Sequence, residues 1–180
     1  MKKETYNQTI PDSPRIYVAC LAAYNNGYLH GAWIDAAQEP WAIYDAVRDL
    51  LAASPMEGAE EWAIHDYEGF GEISLTEYAS FERVSALAAF ITEQGDIGAA
   101  LLNYYGGDLD EAQAAMTDRY HGAHASLADY MQDVTEETTA IPHALRYYID
   151  YQAMARDAEL SGDVFTVSTS LDVVHVFAGC

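Results

Sequence analysis

Two histidines stand three residues apart in the stretch HGAH, where His121 and His124 could act together as metal ligands. Asp118 and Asp129 are close in the sequence and could complete the three or four ligands that zinc requires. Gly122, however, weakens the helix that would align the two imidazoles. A structural or incidental role for both histidines is therefore favoured, and a metal-dependent enzyme is kept as an alternative function.

A second candidate metal site is the stretch GGDLDE, residues 106–111, which resembles the beginning of a calcium-binding loop. It lacks the central Gly and the terminal Glu that such a loop needs at fixed positions. The favoured interpretation is a helix N-terminus in which Asp108 is the cap. Asp110 and Glu111 would then be stabilised by the helix dipole. The sequence predicts no metal site and no cofactor.

Nucleophilic catalysis finds no better support. Cys20 lies in an apolar segment and Cys180 is the last residue, and neither is surrounded by the cationic residues that activate a thiolate. No phosphate-binding loop, dinucleotide fingerprint or G-x-S-x-G stretch is present. His65 and Asp66 could form a base and its orienting group, but neighbours in a strand point to opposite faces. The sequence therefore predicts a protein that is not an enzyme.

The charge balance is the most unusual feature of the chain. There are 29 Asp and Glu residues against 8 Lys and Arg, which gives a formal net charge of −21 over 180 residues. Lys occurs only at Lys2 and Lys3, and the other cations are Arg15, Arg48, Arg83, Arg119, Arg146 and Arg156. Binding to nucleic acid or to an anionic membrane needs cations on the protein, so neither is expected. Basic surfaces and metal cations are the plausible partners.

Cysteine content and hydropathy indicate the compartment. Two cysteines do not make a disulfide framework and suit a reducing environment. No apolar run approaches the length of a transmembrane helix. The segment after Lys3 is polar, so a secretory signal is not expected. These features predict a cytoplasmic protein.

Negative charge is concentrated in two regions. Ten carboxylates and one cation lie between residues 35 and 72. Eight carboxylates and one cation lie between residues 108 and 137. B-DNA carries one charge per about 1.7 Å, so a net charge of −21 matches about 36 Å of duplex, or about ten base pairs. A protein with such a field could enter a groove that binds DNA, where the partner's Lys and Arg supply the counterions. The candidate partner-binding carboxylates are Asp35, Glu39, Asp45, Asp49, Glu57, Glu60, Glu61, Asp66, Glu68, Glu72, Glu77, Glu82, Glu93, Asp96, Asp108, Asp110, Glu111, Asp118, Asp129 and Asp133.

The first half of the chain has the pattern of an N-terminal β-β-α-β lobe, residues 15–77, after a polar tail at residues 1–14. Residues 15–22 form a buried-strand pattern, and Asn26-Gly27 between apolar runs predicts a hairpin. Residues 61–68 predict a third strand. A helix from Pro40 to about Ala53 would have an apolar inner side. That inner side is predicted to comprise Trp41, Tyr44, Val47, Leu50 and Leu51.

Helical periodicity dominates the next segments. Ser74 to Glu77 fits a capping box. Helices are predicted at about 80–94, 96–105, 108–119 and 125–133. Residues 78–118 would form a central helical lobe. A C-terminal lobe, residues 119–180, would add a helix opened by Pro142 and two short strands within 163–177, around a turn at 168–171. The predicted fold class is α+β with three small lobes.

The helix after Pro142 predicts how two copies of the chain could associate. An amphipathic surface helix needs one apolar stripe, and this one has nearly two. One stripe comprises Leu145, Tyr148, Ile149 and Gln152, and the other comprises Tyr147, Tyr151, Met154 and Ala158. Both could be buried within the subunit. The alternative is that the Tyr-rich stripe forms a homodimer interface through Tyr147, Tyr151 and Met154, because Tyr buries a ring and keeps a hydroxyl at the rim.

Three stretches resemble the ArdA antirestriction proteins, which are carried by plasmids and conjugative transposons. IYVACLAAYNNGYLHGAWIDA (16–36) is similar to the family's opening strand, Asn-Gly hairpin and Gly-x-Trp strand. EEWAIHDYEGF (60–70) is similar to its acidic segment, and YIDYQAMARDAELSGDVF (148–165) to its Y-I-D-Y-x-A-x-A-R-D segment. The likeness covers about residues 15–178.

The resemblance implies an elongated, curved, cytoplasmic homodimer with three lobes in each subunit. Its acidic side chains would imitate the phosphates of DNA and occupy the DNA-binding groove of type I restriction-modification enzymes. The family has no catalytic residues to transfer. The matched positions of interest are Asp66, Glu68, Asp150, Arg156 and Asp157.

An acidic adaptor or chaperone for a basic protein is a further alternative. A mimic should compete with DNA for one enzyme, whereas an adaptor should not. Metal analysis of the purified protein would test the metal-dependent enzyme.

Overall fold

The structure is a computed structural model and describes residues 13–179. The predicted α+β class is confirmed, because the described residues form seven α-helices and two antiparallel three-stranded sheets. The chain divides into two compact units between residues 99 and 100. Three lobes, with boundaries near 77 and 119, stay a prediction, and most of the predicted polar tail lies outside the described residues. Within residues 13–179, no helix is long and apolar enough to cross a membrane.

The first unit is built on an antiparallel sheet with the strand order β2-β1-β3. Its strands are β1 (Arg15–Cys20), β2 (Gly31–Asp35) and β3 (Trp62–Glu68). On the inner face, Ile16 pairs with Ile34 and Val18 pairs with Ile64. All four side chains are buried, so the buried strand predicted at residues 15–22 is confirmed over Arg15–Cys20, and the predicted third strand is confirmed as β3.

The connection from β1 to β2 corrects the predicted tight hairpin. A short helix, α1 (Leu21–Asn25), follows β1 directly. Asn26 caps its C-terminus by donating its backbone N–H to the carbonyl oxygen of Ala23 at 3.0 Å, and Gly27 has a φ of 81°. The Asn-Gly pair therefore ends a helix, a position that also favours a left-handed Gly. The antiparallel pairing of β1 with β2 is as predicted.

A β-bulge interrupts the pairing of β1 with β3. Tyr17 pairs with Asp66 and Val18 pairs with Ile64, so His65 is the extra residue. His65 and Asp66 are both exposed, contrary to the expectation that strand neighbours point to opposite faces. A bulge places two residues of one strand opposite one residue of the other and bends the strand, which accounts for the difference.

The helix α2 (Pro40–Ala52) begins at Pro40 as predicted, but its inner side is only partly correct. Ile43 and Val47 are its buried residues. Trp41 is 66% exposed and Tyr44 is 45% exposed, so their assignment to the inner side is wrong. Ile43 and Val47 define the buried face of the helix, and at 3.6 residues per turn Trp41 and Tyr44 lie outside that face.

The predicted capping box at Ser74–Glu77 is wrong, because these residues lie in the loop before α3 (Phe81–Gln94). Ser80 is the N-cap, and its hydroxyl oxygen accepts the backbone N–H of Arg83 at 3.3 Å. The loop is instead held to the sheet, since the backbone N–H of Ile64 donates to the carbonyl oxygen of Glu77 at 2.8 Å. The next helix is α4 (Asp96–Tyr104).

The second unit contains an antiparallel sheet with the strand order β4-β6-β5. The strands are β4 (Tyr120–His124), β5 (Val164–Ser170) and β6 (Val173–Ala178). The helices are α5 (Leu109–Ala114), α6 (Leu127–Thr138) and α7 (Tyr151–Ser161), and a π-helical segment, Ala115–Arg119, extends α5. The sequence analysis missed β4, and the turn between the last two strands lies at residues 171–172 rather than 168–171.

Pro142 does not open the helix α7. A turn and a 3₁₀ segment, Arg146–Tyr148, come first, and α7 begins at Tyr151. Asp150 is the N-cap, and its carboxylate accepts the backbone N–H of Ala153 at 2.9 Å. The two stripes predicted for one continuous helix therefore do not exist. An Asp side chain accepts hydrogen bonds from nearby backbone N–H groups, so Asp is favoured at an N-cap and disfavoured inside a helix. This preference of Asp150 accounts for the start of α7 at Tyr151.

Candidate partner-binding surface

The carboxylates proposed from the sequence lie on the surface. All but two of the twenty are exposed, and the exceptions, Asp45 and Glu68, are half-buried and each forms an ion pair with an Arg. The exposed ones are Asp35, Glu39, Asp49, Glu57, Glu60, Glu61, Asp66, Glu72, Glu77, Glu82, Glu93, Asp96, Asp108, Asp110, Glu111, Asp118, Asp129 and Asp133. Burial of a carboxylate without a partner is costly. Because the chain has few Lys and Arg to pair with its carboxylates, exposure of these side chains is expected.

Arg15 forms the best-defined ion pair of the first unit. Its Nε and Nη2 atoms donate to one carboxylate oxygen of Glu68, at 2.8 Å and 2.6 Å. Its guanidinium also lies 4.6 Å from the ring centroid of Trp33. Glu68 and Trp33 belong to the two strands that flank β1, so one cation ties the three strands together on the outer face of the sheet.

Two further arginines each neutralise nearby carboxylates. Arg48 donates to Asp45 at 2.6 Å and to Asp49 at 3.3 Å on the surface of α2. Arg119 donates to the carboxylate of Glu111 at 3.0 Å. The two ion pairs of Arg48 offset the repulsion between Asp45 and Asp49, which lie four residues apart in α2. Exposed pairs of this kind contribute little to stability, about 0.2–1 kcal/mol.

The acidic stretch at residues 57–72 has a different electrostatic setting. Five of its carboxylates form no ion pair with any residue in the described part of the chain, and they are Glu57, Glu60, Glu61, Asp66 and Glu72. Nothing within residues 13–179 neutralises them.

Aromatic residues of the same stretch face the other way. The ring of Trp62 stacks on the buried Phe81, with centroids 4.4 Å apart and planes at 20°. Tyr67 packs edge-on against Phe70, which is 1% exposed. The rings therefore anchor the stretch to the core while the carboxylates project into solvent, which explains why the two residue types alternate there.

Several candidate carboxylates have local structural roles. Asp108 is the N-cap of α5 and accepts the backbone N–H of Glu111 at 3.2 Å, which confirms the cap interpretation of GGDLDE. Asp129 accepts the hydroxyl of Ser126 at 2.6 Å at the start of α6. Tyr44 donates its hydroxyl to Glu82 at 3.5 Å. Burial and then the Glu82 carboxylate raise the pKa of Tyr44.

The two histidines proposed as metal ligands lie in β4 rather than in a helix. His121 Nδ1 lies 2.7 Å from the hydroxyl of Tyr130, and His124 Nδ1 lies 3.7 Å from the carboxylate of Asp133. Within the described residues, no three His, Cys, Asp or Glu side chains are grouped so that they could hold a metal ion. The pattern fits side chains that pack β4 against α6.

His175 is the histidine most constrained by its surroundings. It lies in the central strand β6, where Nδ1 is 2.8 Å from the hydroxyl of Tyr120 and Nε2 is 3.1 Å from the hydroxyl of Thr169. Burial lowers the pKa of His175, because it disfavours the charged imidazolium. Its strand neighbours Val176 and Phe177 are fully buried.

The residues proposed for a homodimer interface are not brought together on one helix face. Tyr147 is 87% exposed in the 3₁₀ segment, and Tyr148 beside it is 84% exposed. Tyr151 is half-buried in α7 and packs on the core of its own unit, and Met154 is also half-buried. Tyr147 thus remains accessible to another molecule, whereas Tyr151 contributes to the subunit core.

Five exposed carboxylates were not predicted from the sequence, and they are Glu136, Glu137, Glu159, Asp163 and Asp172. Their residue type alone could have indicated them. Tyr78, 68% exposed beside the acidic stretch, was also missed, because an isolated Tyr in a loop has no distinctive pattern.

The fold and this surface define a small α+β protein whose described carboxylates are almost all exposed. A family model described as the antirestriction protein ArdA matches residues 16–173, and the chain belongs to that family. The resemblance inferred from the three stretches is confirmed. A comparison with curated proteins gave no match. Membership implies an inhibitory protein that interacts with restriction-modification enzymes.

Proposed function

We propose that this protein inhibits a type I restriction-modification enzyme by occupying its DNA-binding groove as an acidic mimic of DNA, and that it does so in the cytoplasm as a homodimer. The observation that carries the proposal is the exposure of almost every described carboxylate on a chain with a net charge of −21. No catalytic step is needed for such inhibition.

Electrostatics supports a DNA groove as the site of action. A groove that binds DNA is lined with Lys and Arg that neutralise phosphates, and charge of the same sign and density can replace the DNA there. The acidic stretch at residues 57–72 offers five carboxylates that form no ion pair with any residue from 13 to 179. The partner's cations would supply the missing charge and gain contacts without having to break ion pairs first.

A dimer extends the same reasoning. One chain matches the charge of about ten base pairs, so a symmetric pair would match about twenty. The exposed rings of Tyr147 and Tyr148 supply apolar area on the second unit, and Tyr is enriched at protein interfaces. Half-buried Met154 lies in the same unit and could contribute at the edge of that contact, whereas Tyr151 would support it from within.

The test is a titration of a purified type I restriction enzyme with this protein, in which DNA binding and DNA cleavage are both measured. Inhibition should be stoichiometric, should be competitive with DNA, and should leave enzyme and DNA covalently unchanged. Active enzyme should be recovered after the complex dissociates. Permanent inactivation at substoichiometric protein would refute the proposal, and binding that DNA does not displace would favour an acidic adaptor instead.

A further inference from the structure

A cavity of about 370 Å³ lies in the first unit, at the N-terminal end of β3. It is open to solvent and is lined by Leu21, Glu60, Glu61, Trp62 and Tyr78. Its volume falls within the range of small-molecule sites, about 300–1,000 Å³. Two carboxylates and two aromatic rings thus share one concave surface.

One wall of the cavity is fixed by the core. The indole of Trp62 stacks on the ring of Phe81, which is 0% exposed. The backbone N–H of Leu21 donates to the carbonyl oxygen of Glu61 at 3.0 Å, which holds the start of β3 against α1. The indole and the adjoining backbone are therefore in place before any ligand arrives.

A second part of the lining comes from the loop before α3, through Tyr78. The hydrogen bond from Ile64 to Glu77 holds this loop beside β3, and Tyr78 follows directly. Tyr78 is 68% exposed, so most of its ring is available to a ligand.

The described part of the chain supplies no ion-pair partner to the carboxylates of the cavity. Glu60 and Glu61 form no ion pair with any residue among 13–179. Arg48 lines a neighbouring cavity of about 430 Å³ that shares Glu60 and Trp62. Its guanidinium is already held by Asp45 and Asp49, at 2.6 Å and 3.3 Å.

We propose that this cavity binds a single arginine side chain of the partner enzyme, with its guanidinium between Trp62 and Tyr78 and against Glu60 and Glu61. The proposal rests on the proposed function, since it identifies one contact of the mimic with its partner. A planar guanidinium stacks on aromatic rings and donates to carboxylates through its edge, whereas an ammonium is a more strongly hydrated point charge. A phosphate of DNA offers charge alone, so the rings would give the protein a contact that phosphates lack.

The first experiment needs no restriction enzyme. The protein is titrated with N-acetyl-arginine amide, and the indole N–H signal of Trp62, identified by its loss in Trp62→Phe, is followed by nuclear magnetic resonance. N-acetyl-citrulline amide is the control, because it has a similar shape without the charge. We expect a saturable shift with the arginine compound and little shift with citrulline. Equal shifts with both compounds, or no shift with either, would overturn the proposal.

Variants at the exposed ring then test the geometry. Tyr78→Ala should weaken arginine binding about two- to fivefold, as expected for loss of a cation–π contact, and Tyr78→Phe should retain it. Tyr28→Ala, which removes a Tyr that is 55% exposed and does not line the cavity, is the matched control and should have no effect. Equal affinity in the Tyr78→Ala variant would show that the ring is not a wall of the site.

Inhibition of the restriction enzyme by these variants distinguishes failure of the arginine site from failure of the proposed DNA mimicry. Tyr78→Ala should inhibit less strongly than Tyr78→Phe. If the two variants inhibit equally while the wild-type protein competes with DNA, the arginine site is refuted as a partner contact and the mimic stands. If the wild-type protein does not compete with DNA, the proposed function fails and the claim that the partner uses the cavity fails with it, whatever the resonance titration shows.

Discussion

Neutralising the acidic stretch at residues 57–72 is the most direct perturbation of the proposed mechanism. The variant replaces the five carboxylates that have no ion pair within the described residues, namely Glu57→Gln, Glu60→Gln, Glu61→Gln, Asp66→Asn and Glu72→Gln. Glu68 is left unchanged, because its loss would strip Arg15 of its partner. Amides keep the shape of each side chain and remove only the charge.

The magnitude follows from the exposure of these groups. A solvent-exposed charge pair contributes about 0.2–1 kcal/mol, so at about 0.5 kcal/mol for each contact the five changes remove about 2.5 kcal/mol of binding free energy. That corresponds to a roughly 70-fold weaker inhibition. Each single substitution should change inhibition only about twofold, because mimicry spreads the contacts over many side chains.

Stability should change in the opposite direction. The five carboxylates repel one another and the rest of an acidic chain, so their removal lowers the electrostatic cost of the compact state. We therefore expect a higher midpoint of denaturant unfolding for the variant, most clearly at low salt, where screening is weakest. Lower stability would show that these side chains have structural contacts.

The assay is competition between protein and DNA for a type I restriction enzyme at two salt concentrations. The matched control carries five other exposed substitutions, and it consists of Glu93→Gln, Asp118→Asn, Glu137→Gln, Asp157→Asn and Asp172→Asn. It changes the net charge equally but leaves the stretch at 57–72 intact, so it should lose less affinity. Unchanged inhibition by the first variant, or complete loss caused by one single substitution, would refute the reasoning.

Three further predictions concern the fold and the dimer. Burial lowers the pKa of His175 below its value in the unfolded chain, so the unfolded state binds the proton more readily. The free energy of unfolding should therefore fall as the pH decreases from about 6.5 towards the folded pKa. Chemical denaturation at several pH values should show a smaller decrease for His175→Gln. Tyr147→Ala with Tyr148→Ala should give a folded monomer in sedimentation, and a variant that stays dimeric would place the interface elsewhere. Arg15→Lys should lower the free energy of unfolding by about 0.5 kcal/mol, since it loses the contact with Trp33 and one donor to Glu68, whereas Arg48→Lys on the exposed helix surface should change it less.

Elements with strong local patterns could be predicted from the sequence. The apolar buried-strand pattern of β1, the proline start of α2 and the helical period of α3 correspond to elements in the structure. The strand β4 could not be predicted, because its sequence YHGAH has few residues with β propensity. Its pairing with β6, 50 residues later, makes it a strand, and such long-range pairing leaves no trace in a local pattern.

The start of α7 shows a conflict between two local signals. Pro at a first helical turn favours a helix from Pro142, and an Asp before Tyr151 favours a later start. The structure follows the second signal, and Asp150 caps the helix. Periodicity alone could not decide between them, because apolar residues recur at helical spacing across the whole segment.

The candidate surface was predictable in composition but not in pairing. Exposure of the carboxylates follows from charge alone. The ion pair of Arg15 with Glu68 joins residues 53 apart in the sequence, and the contact of Arg15 with Trp33 joins neighbouring strands. Only the fold shows that Glu68 is held by a cation, whereas Glu60 and Glu61 form no ion pair within residues 13–179.

Two of the six arginines, Arg15 and Arg119, are placed where they tie parts of the fold together. Arg15 is held by a carboxylate and an indole on the sheet, and Arg119 by a carboxylate and the ring of Tyr105. A guanidinium can serve both kinds of neighbour at once, because it donates in its plane and stacks on its face. A lysine in the same place would pair with the carboxylate but would stack less well on the ring, because its ammonium is a compact, strongly hydrated charge. The absence of Lys after Lys3 and the stacking of Arg15 and Arg119 are therefore consistent with one requirement, a compact fold whose surface stays anionic.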